Sequence, residues 1–191
     1  PEAVKSVSSL LRGQGYSEQK KQEFVEESGI VVGSDETLKG DTFGGLVVAG
    51  VRANDIEREN LRLLGVMDSK TIQDDYIPKL ASQVMEIAPH VVLSYPPEEY
   101  NKYKQTELLN ELHTEVGKKL NMSKSIHIVD QYPGCTVGKH EIKAESKYIE
   151  VAAASILARD AALQQFKNLS VELEYDIPKG STHVKEALEF L

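Results

Sequence analysis

The pattern of apolar and polar positions predicts short strands from residue 30 onward. The stretch "IVVGSD" begins at Ile30 with three consecutive apolar residues, which is typical of a buried strand. The stretch "TFGGLVVAGVRA" predicts a second strand, paired with the first as a hairpin. Two later stretches, "HVVLSY" and "SIHIVD", are equally short and rich in β-branched residues. The pattern therefore predicts at least four strands.

Apolar residues at helical spacing predict helices between and after these strands. Asn54 or Asp55 is placed to cap a helix that runs to Leu64, and Gly65 is placed to end it. Helical spacing recurs in "DDYIPKLASQVMEIA", in "TELLNELHTEVGKKL" and in "YIEVAAASILARDAALQQF", whose alanines suit close packing against a sheet. A last helix is predicted from about Val184. Strands followed by alternating helices and strands indicate an α/β domain with a mixed sheet.

The first part of the chain has a weaker pattern than the rest. Residues 1–29 are predicted to be an N-terminal appendage or linker, with one or two weakly amphipathic helices. Residues 30–191 are predicted to form the main domain. The length of 191 residues and the hydrophobic fraction of 40% fit a single domain with a sizeable core.

Composition and net charge limit the cellular compartment and the class of protein that we expect. There is no apolar run long enough for a membrane span and no signal-peptide plan, and Cys135 is the only cysteine. We therefore expect a cytoplasmic monomer without disulfides. The net charge of −8 argues against a protein that coats nucleic acid by bulk charge. This net charge is compatible with an enzyme that has an acidic metal centre flanked by local basic residues.

Acidic residues stand where two of the predicted strands end. Asp35 and Glu36 end the first strand, and Asp130 ends a later one. Ligands at the carboxyl ends of strands in an open sheet share one crevice, and carboxylates suit Mg²⁺ or Mn²⁺. One difficulty is geometric, because neighbours on a regular strand point to opposite faces. On the residues alone, solvated acids at strand ends explain the pattern equally well.

Lysines near these acids favour a phosphodiester substrate. Lys39 follows the acid pair, Lys70 lies in "MDSK", and several lysines surround Glu145. Metals at the reacting phosphate and lysines along the backbone suit a nucleic acid, although each lysine alone is a surface charge. His113 is interpreted as a residue of a helix face and not as a general base.

Five motifs, in order over about 150 residues, resemble those of the type 2 ribonucleases H, the ribonuclease HII and HIII families. They are "GSDETLKGDTFGGLVVAGV", "LRLLGVMDSK", "PPEEYNKYKQTELLNELH", "IHIVDQYPG" and "KAESKYIEVAAASILARD". Glutamate at the fourth acid, "GSDE" at the first motif and "DQ" after the third acid favour the HIII branch. The resemblance implies a ribonuclease H-like fold, a mixed central sheet flanked by helices, with residues 30–191 as the catalytic domain.

The resemblance also implies a site and an activity. It assigns four metal-binding and catalytic carboxylates, which are Asp35, Glu36, Asp130 and Glu145. Two ions, Mg²⁺ or Mn²⁺, would act in hydrolysis of the RNA strand of an RNA/DNA hybrid, leaving 5′-phosphate and 3′-hydroxyl ends. The candidate substrate-binding residues are Gly33, Ser34, Lys39, Gly40, Lys70 and Lys143.

Two departures from the family pattern keep alternatives open. Leu38 stands where the HII family has the first glycine of "GRG", so recognition of a single embedded ribonucleotide does not follow. Residues 1–29 are also too short for the N-terminal substrate-binding domain usual in bacterial ribonuclease HIII. The alternatives are a non-catalytic hybrid-binding module, another metal-dependent nuclease on this fold, and an unrelated activity.

Overall fold

A five-stranded mixed sheet forms the centre of the protein. The computed structural model describes residues 22–120, 125–180 and 184–190. The strands are β1 (Val31–Thr37), β2 (Leu46–Ala53), β3 (His90–Tyr95), β4 (Ile126–Asp130) and β5 (Lys139–Glu141). Their order across the sheet is β3-β2-β1-β4-β5. β1 is antiparallel to β2 and parallel to β4, so the predicted hairpin and the predicted mixed sheet are both confirmed.

Helices lie on both faces of this sheet. They are α1 (Asp55–Leu64), α2 (Ile77–Ile87), α3 (Pro97–Tyr100), α4 (Gln105–Leu120), α5 (Ile149–Glu172) and α6 (Val184–Phe190). Short 3₁₀ helices cover Ser69–Thr71, Asp74–Tyr76 and Ala144–Ser146. In the part of the chain that the structure describes, no helix is long and apolar enough to cross a membrane.

Local sequence signals set the ends of α1 as predicted. The Asn54 side chain accepts hydrogen bonds from the backbone N–H of Ile56 and of Glu57, and the Glu57 side chain accepts one from the Asn54 N–H. This reciprocal capping satisfies donors that have no partner within a helix. Gly65 ends the helix with φ 84°, a backbone conformation that glycine adopts without a steric penalty.

The core has one layer on each face of the sheet. On one face, Val47, Ala49 and Val51 of β2 pack against the alanine-rich part of α5 and against α2. On the other face, Val32, Val48 and Val129 pack against α4, through a set of apolar side chains that includes Leu108, Leu109, Leu112 and Val116. Successive side chains of β1 and β2 therefore point alternately toward α5 and toward α4.

The contact between β1 and α5 is unusually close. A Cβ atom on Gly33 would lie 2.4 Å from both the backbone C of Glu150 and the backbone N of Val151. Only a glycine allows the first turn of α5 to rest on the strand at this distance. The strand that carries Asp35 and Glu36 is therefore held directly against a long, buried helix.

Residues 22–29 run along the main domain without forming a helix or a strand. Val25 donates a backbone hydrogen bond to the Lys147 carbonyl at 2.8 Å, and the buried Arg58 donates to the carbonyls of Glu27 and Gly29. The amphipathic helices predicted before residue 22 lie outside the described residues. The domain boundary between residues 29 and 30 stays a prediction.

Candidate metal and nucleic-acid site

The four predicted acids come from three neighbouring parts of the sheet. Asp35 and Glu36 are near the end of β1, and Asp130 is the last residue of β4, its parallel neighbour. Glu145 lies in the 3₁₀ helix that follows β5. The first three line one open cleft of about 630 Å³. Parallel pairing thus brings together residues that are almost a hundred positions apart in sequence.

The sequence neighbours Asp35 and Glu36 reach this cleft from opposite faces of β1. Glu36 lies on the α4 face, where it contacts His113. Asp35 lies on the other face, and it shares the cleft with Ser155 and Arg159 of α5. The cleft is at the end of the strand, where both faces open into it. Asp35 and Glu36 point to opposite faces of β1, yet both reach the cleft, and no bulge is needed to bring them there.

Asp35 is the most strongly perturbed of the four carboxyl groups. It is only 7% exposed, and its Oδ1 accepts a hydrogen bond from the Glu36 N–H at 2.8 Å. Burial raises its pKa well above the usual range, and the nearby charges of Glu36, Asp130 and Glu145 raise it further. The structure therefore places Asp35 within electrostatic range of the other three acids.

Glu36 is held between a lysine and a histidine. Its Oε1 lies 2.7 Å from Lys39 Nζ, and its Oε2 lies 3.4 Å from His113 Nε2. Burial raises its pKa, but the contacts with His113 and Lys39 outweigh that effect and leave the pKa lowered. Oε2 is buried and has no hydrogen-bond partner among the residues that the structure describes. The carboxylate is thus ionised, with one oxygen unsatisfied.

Asp130 and Glu145 form the other half of the cluster. Asp130 Oδ1 accepts a hydrogen bond from the Ala144 N–H at 2.7 Å, which ties the Glu145 segment to the end of β4. Burial raises the pKa of Asp130 to about 6. Glu145 Oε1 lies 2.9 Å from Lys70 Nζ, and this lysine outweighs burial and lowers the pKa of Glu145. Glu145 Oε2 is buried, and no group in the described part of the chain forms a hydrogen bond with it.

These donors fit a hard divalent cation in kind. Four carboxylates are the ligand type that Mg²⁺ and Mn²⁺ prefer, and the buried Oε2 of Glu145 has no hydrogen-bond donor in the part of the chain that the structure describes. As the side chains stand, no group of three or more His, Cys, Asp or Glu within residues 22–120, 125–180 and 184–190 could hold a metal ion. Lys39 and Lys70 supply the positive charge at Glu36 and Glu145 instead.

The candidate substrate-binding residues divide into two groups. Lys39 and Lys70 line the cleft, while Gly40 and Lys143 are exposed turn residues with φ 76° and 56°. The other two candidates lie in the interior. Gly33 is covered by the first turn of α5, and Ser34 has no exposed surface. Neither of these two residues faces the cleft.

Leu38 adopts a backbone conformation that glycine favours. Its φ is 66°, in the left-handed region, at the position where the resemblance places the first glycine of "GRG". The chain therefore keeps a glycine-like turn here with a side chain added. That side chain packs against the α5 side of the core and lines the cleft.

Sequence reasoning missed two residues of the site. Arg159 of α5 pairs with Asp74 at 2.7 Å and also donates to the Ser69 carbonyl, so it fixes the segment that carries Lys70. His113 lies on the buried face of α4, as a helix-face residue can, and the contact of its Nε2 with Glu36 Oε2 was not predicted. The signals were present, because Arg159 interrupts a small-residue helix and His113 lies within the apolar stripe of α4.

The comparisons with known proteins agree on one family. The family described as ribonuclease HII matches residues 32–188. A ribonuclease HIII of Staphylococcus haemolyticus is 34% identical over 80% of this chain and 57% of its own length. A ribonuclease HIII of Streptococcus agalactiae is 30% identical over 93% of this chain and 69% of its own length. The chain thus spans little more than half the length of some curated relatives.

Solved structures give the same result. Bst-RNase HIII, solved in complex with Mn²⁺, is 31% identical with a TM-score of 0.75, covering 84% of this chain and 60% of that one. RNase H3 of Aquifex aeolicus has a TM-score of 0.74 at 24% identity, covering 100% of this chain and 93% of that one. The second similarity supports the fold alone.

Proposed function

Because this chain belongs to the ribonuclease HII family and has ribonucleases HIII among its relatives, we propose that it is an endoribonuclease that hydrolyses the RNA strand of RNA/DNA hybrids. One observation carries the proposal. Asp35 of β1 has the carboxylates of Glu36, Asp130 and Glu145 as charged neighbours, and Asp35, Glu36 and Asp130 line one cleft together with Lys39 and Lys70. Such a cluster costs stability in the absence of cations, and it suits a metal-assisted reaction at phosphorus.

The four carboxylates are the groups that would hold divalent cations, with Asp35 as the shared ligand because it has the other three as neighbours. When bound, two Mg²⁺ or Mn²⁺ ions would promote attack of water on phosphorus and stabilise the leaving 3′-oxygen, which leaves 5′-phosphate and 3′-hydroxyl ends. The chain's own task is to keep these acids ionised and close together. Burial opposes the ionised forms of Asp35 and Asp130, whereas hydrogen bonds from the Glu36 and Ala144 backbone favour them and hold the two side chains in place.

The lysines have a different task in this proposal. Lys39 and Lys70 neutralise Glu36 and Glu145, and both line the cleft, so each is placed to turn from a carboxylate to a phosphate. Lys143 is an exposed cation beside Glu145 that suits a more distant phosphate. Recognition of the RNA strand requires a contact to a 2′-OH, for which the turn from Leu38 to Gly40 is our candidate.

A second function has support from one observation. Because no three acids among the described residues are arranged to hold a metal ion and two of the four acids are paired with lysines, a hybrid-binding module without catalysis is the rival proposal. Both proposals use the same cleft and the same kind of nucleic acid. They differ only in whether the hybrid is cut.

The test is a cleavage assay with a matched pair of variants. Wild-type protein is expected to cut a uniform RNA/DNA hybrid with Mg²⁺ or Mn²⁺, and Asp35→Asn is expected to reduce cleavage to background. Asp176→Asn removes an exposed carboxylate that does not line this cleft, and it should cleave as wild type does. Undiminished cleavage by Asp35→Asn refutes the assignment. Hybrid binding without cleavage selects the binding module, and cleavage of all-DNA duplex selects another nuclease.

A further inference from the structure

A chain of buried and half-buried polar side chains lies beneath Glu36. Ser34 Oγ is 2.8 Å from His113 Nδ1 and 2.8 Å from His127 Nε2. Ser34 and His113 have no exposed surface, and burial lowers the pKa of His127 to about 4. Two histidines and a serine in a hydrophobic layer are costly to bury unless every polar atom has a partner. Their arrangement is therefore a specific feature of this core.

The hydroxyl of Ser34 restricts how the protons can be placed. It has one hydrogen to donate, so one histidine accepts from it and the other must donate to it. If the neutral His127 donates from Nε2, His113 accepts at Nδ1 and, when neutral, carries its proton on Nε2. If His127 accepts, His113 donates from Nδ1, and a proton on Nε2 then makes it a cation. If His113 were instead neutral with its proton on Nδ1, the lone pair on its Nε2 would face the Glu36 carboxylate.

The free end of this chain points at Glu36. His113 Nε2 and Glu36 Oε2 are 3.4 Å apart, and neither atom has a hydrogen-bond partner within residues 22–120, 125–180 and 184–190. This distance is longer than the roughly 3 Å of a typical N–H···O bond, as is common in catalytic sites before ligands bind. The Tyr132 ring stacks on His113 with centroids 5.3 Å apart, so the imidazole has a fixed plane.

The backbone of α4 also makes room for the second histidine. A Cβ atom at Gly117 would lie 2.7 Å from His127 Nδ1, so the absence of a side chain there allows the ring to reach Ser34. His113 and Gly117 are four residues apart and lie on the same side of α4. The helix therefore supplies both the histidine under Glu36 and the space for its support.

We propose that His113 is a positioning residue for Glu36, with its Nε2–H directed at Glu36 Oε2. Its ring is held by Tyr132 and by Ser34, which is in turn bonded to His127. The inference rests on the proposed function, because it takes Glu36 to be a metal ligand. His113 fixes Oε2, and Oε1, now paired with Lys39, is the oxygen left for a cation. Hydrogen bonds to a ligating carboxylate orient it and tune its affinity for metal.

Two substitutions separate this role from simple filling of the core. In His113→Gln the side-chain amide nitrogen takes the place of Nε2, so a donor toward Glu36 remains. In His113→Asn the shorter amide takes the place of Nδ1, so only the contact with Ser34 remains. Both variants lose the ring and its stacking on Tyr132. Leu112→Ala, on the same buried face of α4, controls for loss of stability without a change next to Glu36.

The first measurement is Mn²⁺ binding by isothermal titration calorimetry, with kcat and KM measured on the hybrid. We expect His113→Asn to weaken Mn²⁺ binding about 10- to 100-fold, as loss of a supporting hydrogen bond does. We expect His113→Gln to recover most of that loss, and Leu112→Ala to bind Mn²⁺ as wild type does. The loss in His113→Asn should appear in kcat, with little change in KM, because the residue does not touch the nucleic acid.

The second measurement needs no metal and no substrate. Nitrogen-15 NMR of the imidazole rings in EDTA should find His113 protonated at Nε2, and Ser34→Ala should alter the resonances of both histidines. A His113 with a bare Nε2 overturns the inference. So do equal Mn²⁺ affinities for His113→Asn and wild type, or equal losses in the Asn and Gln variants.

The two proposals can fail separately. If wild-type protein binds Mn²⁺ but does not cut hybrid, the nuclease proposal fails while the affinities of the Asn and Gln variants still decide the role of His113. If wild-type protein cuts hybrid and His113→Asn matches it in Mn²⁺ affinity and kcat, the nuclease proposal stands and the positioning role is refuted. If wild-type protein binds no Mn²⁺, both proposals fail, whatever the NMR result.

Discussion

At the scale of single residues, the site buries a carboxyl group among other carboxylates, which lowers the stability of the folded protein when that group is ionised. Asp35 is buried with three other carboxylates nearby, and its pKa is raised well above the usual value of 3.8. A raised folded-state pKa means that the contribution of this group to stability is present below the unfolded pKa and is lost as pH rises. The ionised form of Asp35 therefore costs stability at neutral and alkaline pH, a cost that bound cations would offset.

This cost gives a prediction for Asp35→Asn without metal. In EDTA at pH 8 the variant should be more stable than wild type by on the order of 1 kcal/mol, because it removes a repelled charge and keeps an acceptor for the Glu36 N–H. At pH 4 the difference should largely vanish, because Asp35 is then protonated. Urea unfolding at the two pH values measures this, and a variant less stable than wild type at pH 8 contradicts it.

The same scale shows what sequence could and could not predict about the site. Asp35, Glu36 and Asp130 could be found because they lie at or near the end of a strand, where the sequence changes from apolar to polar residues. His113 could not be assigned, because its partner Ser34 is 79 positions away. A buried histidine on an apolar stripe has the same pattern whether it supports a carboxylate or only fills space.

At the scale of secondary structure, the position of β1 depends on its contact with α5. Ala at position 33 would place a Cβ 2.4 Å from the backbone of Glu150 and Val151. We predict that Gly33→Ala destabilises the protein by about 3 kcal/mol or more, because backbone atoms cannot yield as a flexible side chain can. Mn²⁺ affinity should fall as well, because the strand carries Asp35 and Glu36. Urea unfolding and calorimetry measure the two effects.

Gly65→Ala is the matched control for that prediction. Gly65 has nothing within 4 Å of an added Cβ, so this variant pays only for its left-handed backbone, about 1 kcal/mol. It lies at the end of α1 and does not line the cleft, so Mn²⁺ affinity should not change. A similar loss of stability in the two variants would show that the close contact between β1 and α5 does not determine the cost of Gly33→Ala.

Secondary structure was also where sequence patterns were most informative. The four long strands and five of the helices follow from periodicity, and the ends of α1 follow from capping residues. β5 and α3 were not predicted. They have three and four residues, which is too short to show a repeat of two or of 3.6. β5 forms because β4 offers an edge, which is a property of the folded sheet and not of the segment itself.

At the scale of the whole molecule, the sequence could not foresee that two of the four acids would be paired with lysines. Lys70 and Glu145 are 75 positions apart, and their pairing depends on the path of the segment that Arg159 fixes. The fold brings the acids together by sheet topology, which sequence can suggest. The pairing of acids with lysines depends on side-chain contacts between distant loops, and the sequence alone cannot suggest those contacts.

The net charge of −8 sets how this molecule can bind a polyanion. Bulk charge repels a hybrid, so affinity must come from the few local lysines of the cleft, and we predict a slope of log K against log salt of only about −2 to −4. In the uncleaving Asp35→Asn background, Lys143→Ala should make this slope less steep by about one. Lys118→Ala, an exposed lysine on α4, should leave it unchanged. Fluorescence anisotropy of a labelled hybrid across salt concentrations measures all three slopes, and equal slopes for the two lysine variants would remove Lys143 from the nucleic-acid interface.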